Sequence, residues 1–279
     1  MRRQPAVAGY FYADEPGSLR AQVQRLLIST AERQAAMAVI SPHAGLQYSG
    51  SVAGEVYARL QPAEIYLLLG PNHSGLGESV ALMSAGEWEM PLGPVPIDRD
   101  LALAVQAACP LVRQDAVAHA YEHSLEMQVL FLQALGGQFR IVPIVLGLLS
   151  YDACDALGRA IALTVRQAAC PVVIVASTDM THCGRHYRRL PPAGMTAHGF
   201  ASQEDRYAID RITGLDPEGL YHVVRERHIT MCGFIPTTVT LVACRELGAT
   251  TATLVRYMTS AAVSGDVDTV VGYAGLLIM

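Results

Sequence analysis

The sequence predicts an α/β fold of three layers, with a mostly parallel or mixed central sheet and helices on both of its faces. Three observations carry this reading. Runs rich in Val, Ile and Leu, closed by Pro, Gly, Asn or Ser, read as buried strands. Segments with apolar residues at helical spacing alternate with those runs from one end of the chain to the other. Three of the runs also end in a histidine: Ala38-Val39-Ile40-Ser41-Pro42-His43, Ile65-Tyr66-Leu67-Leu68-Leu69-Gly70-Pro71-Asn72-His73, and Val172-Val173-Ile174-Val175-Ala176-Ser177-Thr178-Asp179-Met180-Thr181-His182. In an open α/β sheet, ligands bind in the crevice beyond the carboxyl ends of the strands. A histidine there three times over marks a site.

Taken in order, Gly9-Tyr10-Phe11-Tyr12 precedes a helix expected over residues 17–34, followed by the strand into His43, a helix near 49–60 and the strand into His73. Residues 78–97 break the alternation with short apolar pieces punctuated by Pro and Gly, which suggests an antiparallel excursion. Leu125, Val129 and Leu132 recur at helical spacing and place a helix over 120–135. The strand 140–146, a helix near 152–168 and the strand into His182 follow. Residues 184–200 read as loop, with Pro191-Pro192 and several glycines. Helices are expected near 201–212 and 217–226. Another has Pro236 in its first turn, where the missing N–H costs nothing, and runs to about Leu247. Strands over 251–259 and 269–278 close the chain. No linker or internal repeat divides it, so residues 1–279 read as one domain.

Composition narrows the function. About half of the 279 residues are hydrophobic, enough for a full core, and the formal net charge is −5. The one basic cluster is Arg185, Arg188 and Arg189, and aromatic residues are too sparse to line a nucleic-acid groove, so no nucleic-acid partner is expected. The chain contains no lysine. That excludes P-loop phosphate binding through its lysine, Schiff-base aldol chemistry and pyridoxal enzymes. No apolar run approaches the roughly 18 residues that span a bilayer, and Met1-Arg2-Arg3-Gln4-Pro5 lacks a signal-peptide core, so no membrane contact is expected and the compartment is expected to be the cytoplasm. The six cysteines form no CxxC pair and read as reduced thiols, with Cys109 and Cys170 as small core residues.

Neutral imidazole is the commonest metal ligand, and His43 and His73 on successive strand ends would make half of a metal site if a short crossover brings them together. Cys232 lies just before a helix start, where the positive end of the dipole favours a thiolate. A small buried residue at a glycine turn accounts for it equally well. Asp179 stands three residues from His182 and could orient it as a general base, or could cap the following turn. Glu122 and Glu126, at the start of a helix, read as dipole complements, and His123 between them draws notice through the company of the other histidines. Tyr48, Ser49 and Asn72 are candidate hydrogen-bonding groups at the same mouth. His119, His186, His198, His222 and His228 read as surface or loop residues.

Together, Arg3 to Tyr12, Ser41-Pro42-His43-Ala44-Gly45 with Tyr48-Ser49-Gly50, Leu69 to His73, Glu122-His123-Ser124-Leu125-Glu126, Ser177 to His182 and Met231-Cys232-Gly233 resemble the Memo family through nearly the whole chain. That family is similar in fold to the LigB-type class III extradiol dioxygenases, which hold non-heme Fe(II) with two histidines and a glutamate. The resemblance implies that His43 and His73 match the two histidine ligands, His182 the catalytic base and His123 a substrate-pocket histidine. Cys232 stands at the third ligand position. A soft thiolate there lets Cu or Zn compete with Fe(II) and adds an oxidisable ligand, which counts against ring cleavage. The resemblance also implies association with AMMECR-type and radical SAM proteins in an AmmeMemoRadiSam system.

Three readings follow. The first is a metal-binding, dioxygenase-like oxidoreductase with His43, His73 and Cys232 as ligands and His182, Asp179 and His123 handling protons. The second is a working extradiol dioxygenase on a catechol-like aromatic. The third is a module on the same fold that binds a peptide, small molecule or partner protein without catalysis.

Overall fold

A computed structural model describes residues 1–28 and 30–279. In chain order its elements are β1 (Arg2–Arg3), α1 (Pro16–Leu26), β2 (Ala38–Ser41), α2 (Leu46–Ala58), β3 (Ile65–Pro71), β4 (Val80–Leu82), β5 (Glu87–Trp88), β6 (Val95–Pro96), α3 (Arg99–Ala108) and β7 (Arg113–Gln114). They continue with α4 (Ser124–Leu135), β8 (Arg140–Leu146), α5 (Tyr151–Gln167), β9 (Val172–Ser177), β10 (His182–Cys183), α6 (Ala197–Thr213), α7 (Pro217–Glu226), α8 (Phe234–Leu247), β11 (Ala252–Thr259), α9 (Ala261–Ser264) and β12 (Val270–Ile278).

The central strands are apolar on both faces, and their alternation builds the three layers. Ala38, Ile40, Leu67, Leu69, Ile144 and Ile174 point into one core with α3, α5, α7 and α8. Their neighbours Val39, Tyr66, Leu68, Val145, Val173 and Val175 point into the other, against α1, α2 and α4. The sheet is mixed. Its order is β10-β12-β2-β9-β3-β8-β4-β7, with β11 beside β12. The inner strands β2, β9, β3 and β8 are parallel, while β12 and β4 run antiparallel to their inner neighbours β2 and β8. The excursion over 78–97 is the antiparallel β4 followed by β5 and β6, which join β1 in a separate three-stranded sheet.

Several expectations shift. The helix expected over 17–34 ends at Leu26, because Gln34 instead exchanges backbone hydrogen bonds with Arg59 and Gln61; residue 29 of that span lies outside the described residues. The sequence reading assigned no element to α3, which the Asp98 side chain caps at Leu101 N–H. The supposed loop 184–200 contains a 3₁₀ turn at Arg185–Tyr187 and the first turn of α6, capped by Thr196. Most consequential, β2 and β3 are not neighbours: β9 lies between them. Among the described residues no helix is long and apolar enough to cross a membrane.

His119 is fully buried rather than a surface histidine. Its Nε2 lies 3.0 Å from the Ala81 carbonyl, and Nδ1 has no partner among the described residues. Burial drives its pKa from 6.5 to about 4, against the smaller opposing pull of the Ala81 carbonyl. Between those values the unfolded chain binds a proton that the folded chain refuses, so stability falls as pH drops from 6.5 toward 4. We expect urea unfolding of His119→Gln to lose up to about 1.4 kcal/mol less per pH unit across this window than the parent. Parallel pH profiles for the two proteins would contradict the assignment.

Candidate metal centre

The parallel register carries the site to one rim. Ser41 pairs with Ser177 and Leu69 with Ala176, so the segments after β2, β9 and β3 leave the sheet side by side. The His43 segment bends over the end of β9, where its backbone N–H donates to Asp179 Oδ1 at 2.8 Å. His43 and His73 therefore meet across an intervening strand, with ring centroids 5.2 Å apart at 74°. His123, immediately before α4, stacks on His73 at 4.8 Å. One ring nitrogen from each of His43, His73 and His123 lies within 4.8 Å of the others.

Hydrogen bonding decides which nitrogen of each ring is free. Ser177 Oγ has one proton, and its carbonyl partner is Ser124 O at 2.7 Å. The same oxygen accepts from Gln128 Nε2 at 2.7 Å, and the Gln128 amide is oriented by the Tyr57 hydroxyl on its Oε1 at 2.9 Å. Ser177 can then only accept from His43 Nδ1, 2.9 Å away, which puts the proton on Nδ1 and leaves a lone pair on Nε2. Glu122 does the same for His73. Its Oε1 accepts from His73 Nδ1 at 3.0 Å and from Ser124 N–H, while Oε2 accepts the His73 backbone N–H at 2.6 Å. A carboxylate behind an imidazole aligns the ring and raises its basicity.

Burial acts to raise the Glu122 pKa, but the hydrogen bonds and charge of His73 bring it down to about 2. Burial would lower His73, but the Glu122 hydrogen bond, the Glu122 charge and the Asp179 charge together outweigh it, so His73 is raised. His43 is pushed well below its usual value by burial and then by its histidine neighbours. His123 is lowered too, chiefly by burial.

Cys232 lies two residues before α8, with Sγ 3.3 Å from His43 Nε2 and accepting the Asp179 N–H at 3.2 Å. Donors that share one ion at about 2.0–2.3 Å sit at such separations. The expectation that the helix start would lower this thiol is corrected: burial, then the Asp179 charge, pushes it up. The thiol therefore donates to the bare Nε2 of His43. The Gly233 backbone fits so closely against Ser177 O that a Cβ would stand 2.3 Å from it, which keeps this turn pressed onto the end of β9.

His182 also lines the cavity, with Nδ1 held by the Met180 and Thr230 carbonyls at 3.0 and 3.1 Å. Those carbonyls, rather than the Asp179 carboxylate, orient its ring. Ser49 and Asn72 are not at the mouth in a ligand-binding sense: Ser49 donates to Ala44 O, and Asn72 Oδ1 accepts from Ser74 and Gly75. Tyr48 does line the cavity.

A family model described as Memo-like protein matches residues 3–277. The chain belongs to the Memo family. A MEMO1 family protein of Methanothermobacter thermautotrophicus is 38% identical over 288 residues, covering 99% of this chain and 100% of that protein. A relative from Methanosarcina barkeri is 39% identical and covers 99% of each chain. Among solved structures, an uncharacterized protein of Escherichia coli K12 has a TM-score of 0.55 at 14% identity, covering 86% of this chain and 98% of that one, a likeness of fold.

Sequence reasoning missed Glu122, Ser177 and Gln128 in this Memo site. Glu122 and Gln128 left one signal, polar residues beside and within a helix that is mostly apolar and buried. We expect Glu122→Gln to lower the His73 pKa in an NMR titration and to weaken divalent-metal binding by about 10- to 100-fold. An unmoved His73 titration would contradict the role given to Glu122.

Proposed function

We propose that this Memo protein is a metal-dependent, oxidoreductase-like enzyme acting on a small molecule, with Fe(II) as its metal and Cu or Zn as competitors. The convergence of His43, His73 and His123 on the wall of an open cavity of about 760 Å³ carries the reading. His43, His73 and Cys232 are the ligands we favour, because each has a partner holding it: Ser177, Glu122 and the Asp179 N–H. His123 has no comparable support, since its Nδ1 is 3.6 Å from Glu122 Oε1, beyond a good hydrogen bond. Imidazole and thiolate donors suit iron, copper and zinc, and a cation here would take the place of the proton between Cys232 and His43.

A bound metal would supply Lewis-acid polarisation or redox capacity to a ligand beside it. The chain's own residues supply the rest. His182, with Nδ1 donating to two carbonyls, keeps its lone pair on Nε2 and is the group suited to take a proton from a bound molecule. His123, whose pKa burial lowers and whose Nδ1 stands 3.6 Å from Glu122 Oε1, is the second proton-handling ring. Asp179 supports both sides, through its carboxylate on the His43 backbone and its own N–H on Cys232. Phe11 packs edge-on against His123 at 5.0 Å and walls off that ring. Ring opening of a catechol-like aromatic is the narrower form of this proposal. Association with AMMECR-type and radical SAM proteins belongs to it as well, and His43→Ala in a pull-down separates metal-dependent from metal-independent association.

The test is metal analysis of untagged protein purified from its own host. We expect near-stoichiometric metal in the parent, a loss of at least about tenfold in affinity in His43→Ala and Cys232→Ser, and retention in His123→Ala. A metal-free parent contradicts the proposal. Retention in Cys232→Ser with loss in His123→Ala contradicts the ligand set.

A further inference from the structure

We propose that the cavity in front of the histidines takes a small aromatic amine, its ring among Tyr48, Tyr187 and Tyr273 and its ammonium group toward Asp266. The inference rests on that cavity being the working site and names the class of molecule it receives.

The lining sets the charge preference. Of the 20 basic residues in the chain, all arginine, none lines this cavity among the described residues, while Asp179 and Asp266 both do. An aryl carboxylate or phosphate would thus meet no arginine on this wall and would face the two aspartates instead. The aromatic surface is concentrated here. Tyr48, Tyr187 and Tyr273 share the cavity with Tyr10 and Phe11, although only 6% of the chain is aromatic. Tyrosine faces attract ammonium groups through the ring quadrupole, most strongly where water is thinned.

The three phenols also belong together electrostatically. Tyr187 and Tyr273 are pushed up by burial and then by the Asp179 charge and by neighbouring tyrosines, Tyr48 among them. All three side chains line the cavity, where their hydroxyls can meet a polar group of the ligand.

Asp266 gives the direction. Its Oδ1 accepts from the Asp268 and Thr269 N–H groups at 2.8 and 3.1 Å and so shapes the loop before β12. Oδ2 has no partner among the described residues, and the residue is exposed at the cavity rim. Asparagine would keep the Oδ1 acceptor and remove only the charge.

The experiment titrates the full chain, as isolated and after chelator treatment, with 2-phenylethylamine, 2-phenylethanol and phenylacetate, using saturation-transfer NMR or calorimetry. Metal content is measured first, so a protein that binds no metal defeats the preceding proposal while leaving this ranking readable. We expect the amine to bind about tenfold more tightly than phenylacetate in both preparations, with the alcohol between them. Asp266→Asn should weaken the amine by about three- to tenfold and leave the alcohol unchanged, and Tyr48→Ala should weaken both. Phenylacetate binding as tightly as the amine in either preparation overturns the proposal. So does an unchanged amine affinity in Asp266→Asn, or failure of all three probes to bind.

Discussion

The site depends on one buried hydroxyl with a single proton to give. Ser177 Oγ ends β9, and its contacts with Ser124 O, Gln128 Nε2 and His43 Nδ1 tie the central strand to the start of α4 and to the first histidine. Because the proton has only the Ser124 carbonyl to go to, the other two groups must donate, and the tautomer of His43 follows. Removing this oxygen would leave buried donors unpaired at about 1–3 kcal/mol each, a sizeable share of the roughly 5–15 kcal/mol by which domains stay folded. The orientation of His43 is thus part of the fold rather than a separate adjustment.

The parallel register explains why three distant stretches of chain arrive together. β9 stands between β2 and β3, so the Asp179 segment has His43 on one side and the His73 loop on the other. α4 then lays polar groups into an otherwise apolar layer. Glu126 is fully buried, yet its two oxygens accept from Arg3, Ala6 N–H, Val7 N–H and Tyr12, which fills its acceptor capacity and straps the N-terminal segment over the site. Leaving such a carboxylate unpaired would cost about 3–5 kcal/mol. The strap is what brings Phe11 against His123.

Much of this was legible in the chain. Apolar runs with turn residues at their ends located β2, β3, β8 and β9, and the histidines beyond them located the rim. Strand order was not legible, since periodicity identifies strands without ordering them, and adjacency of β2 and β3 was assumed from a short crossover. His119 was misplaced because a lone histidine between Ala and Ala carries no mark of burial. Glu122 resembles any acid at a helix start until His73, 49 residues away, is seen to donate to it twice. At Cys232 the helix-end argument had the right direction but the smaller magnitude: a dipole contributes about 0.3–1 kcal/mol, and burying a thiolate opposes it more strongly.

X-ray absorption at the metal edge tests the central claim most directly, because it counts the donors on the ion in the unaltered protein. Two imidazoles with a sulfur at about 2.3 Å is the result these hydrogen bonds predict. A first shell of nitrogen and oxygen alone would contradict it.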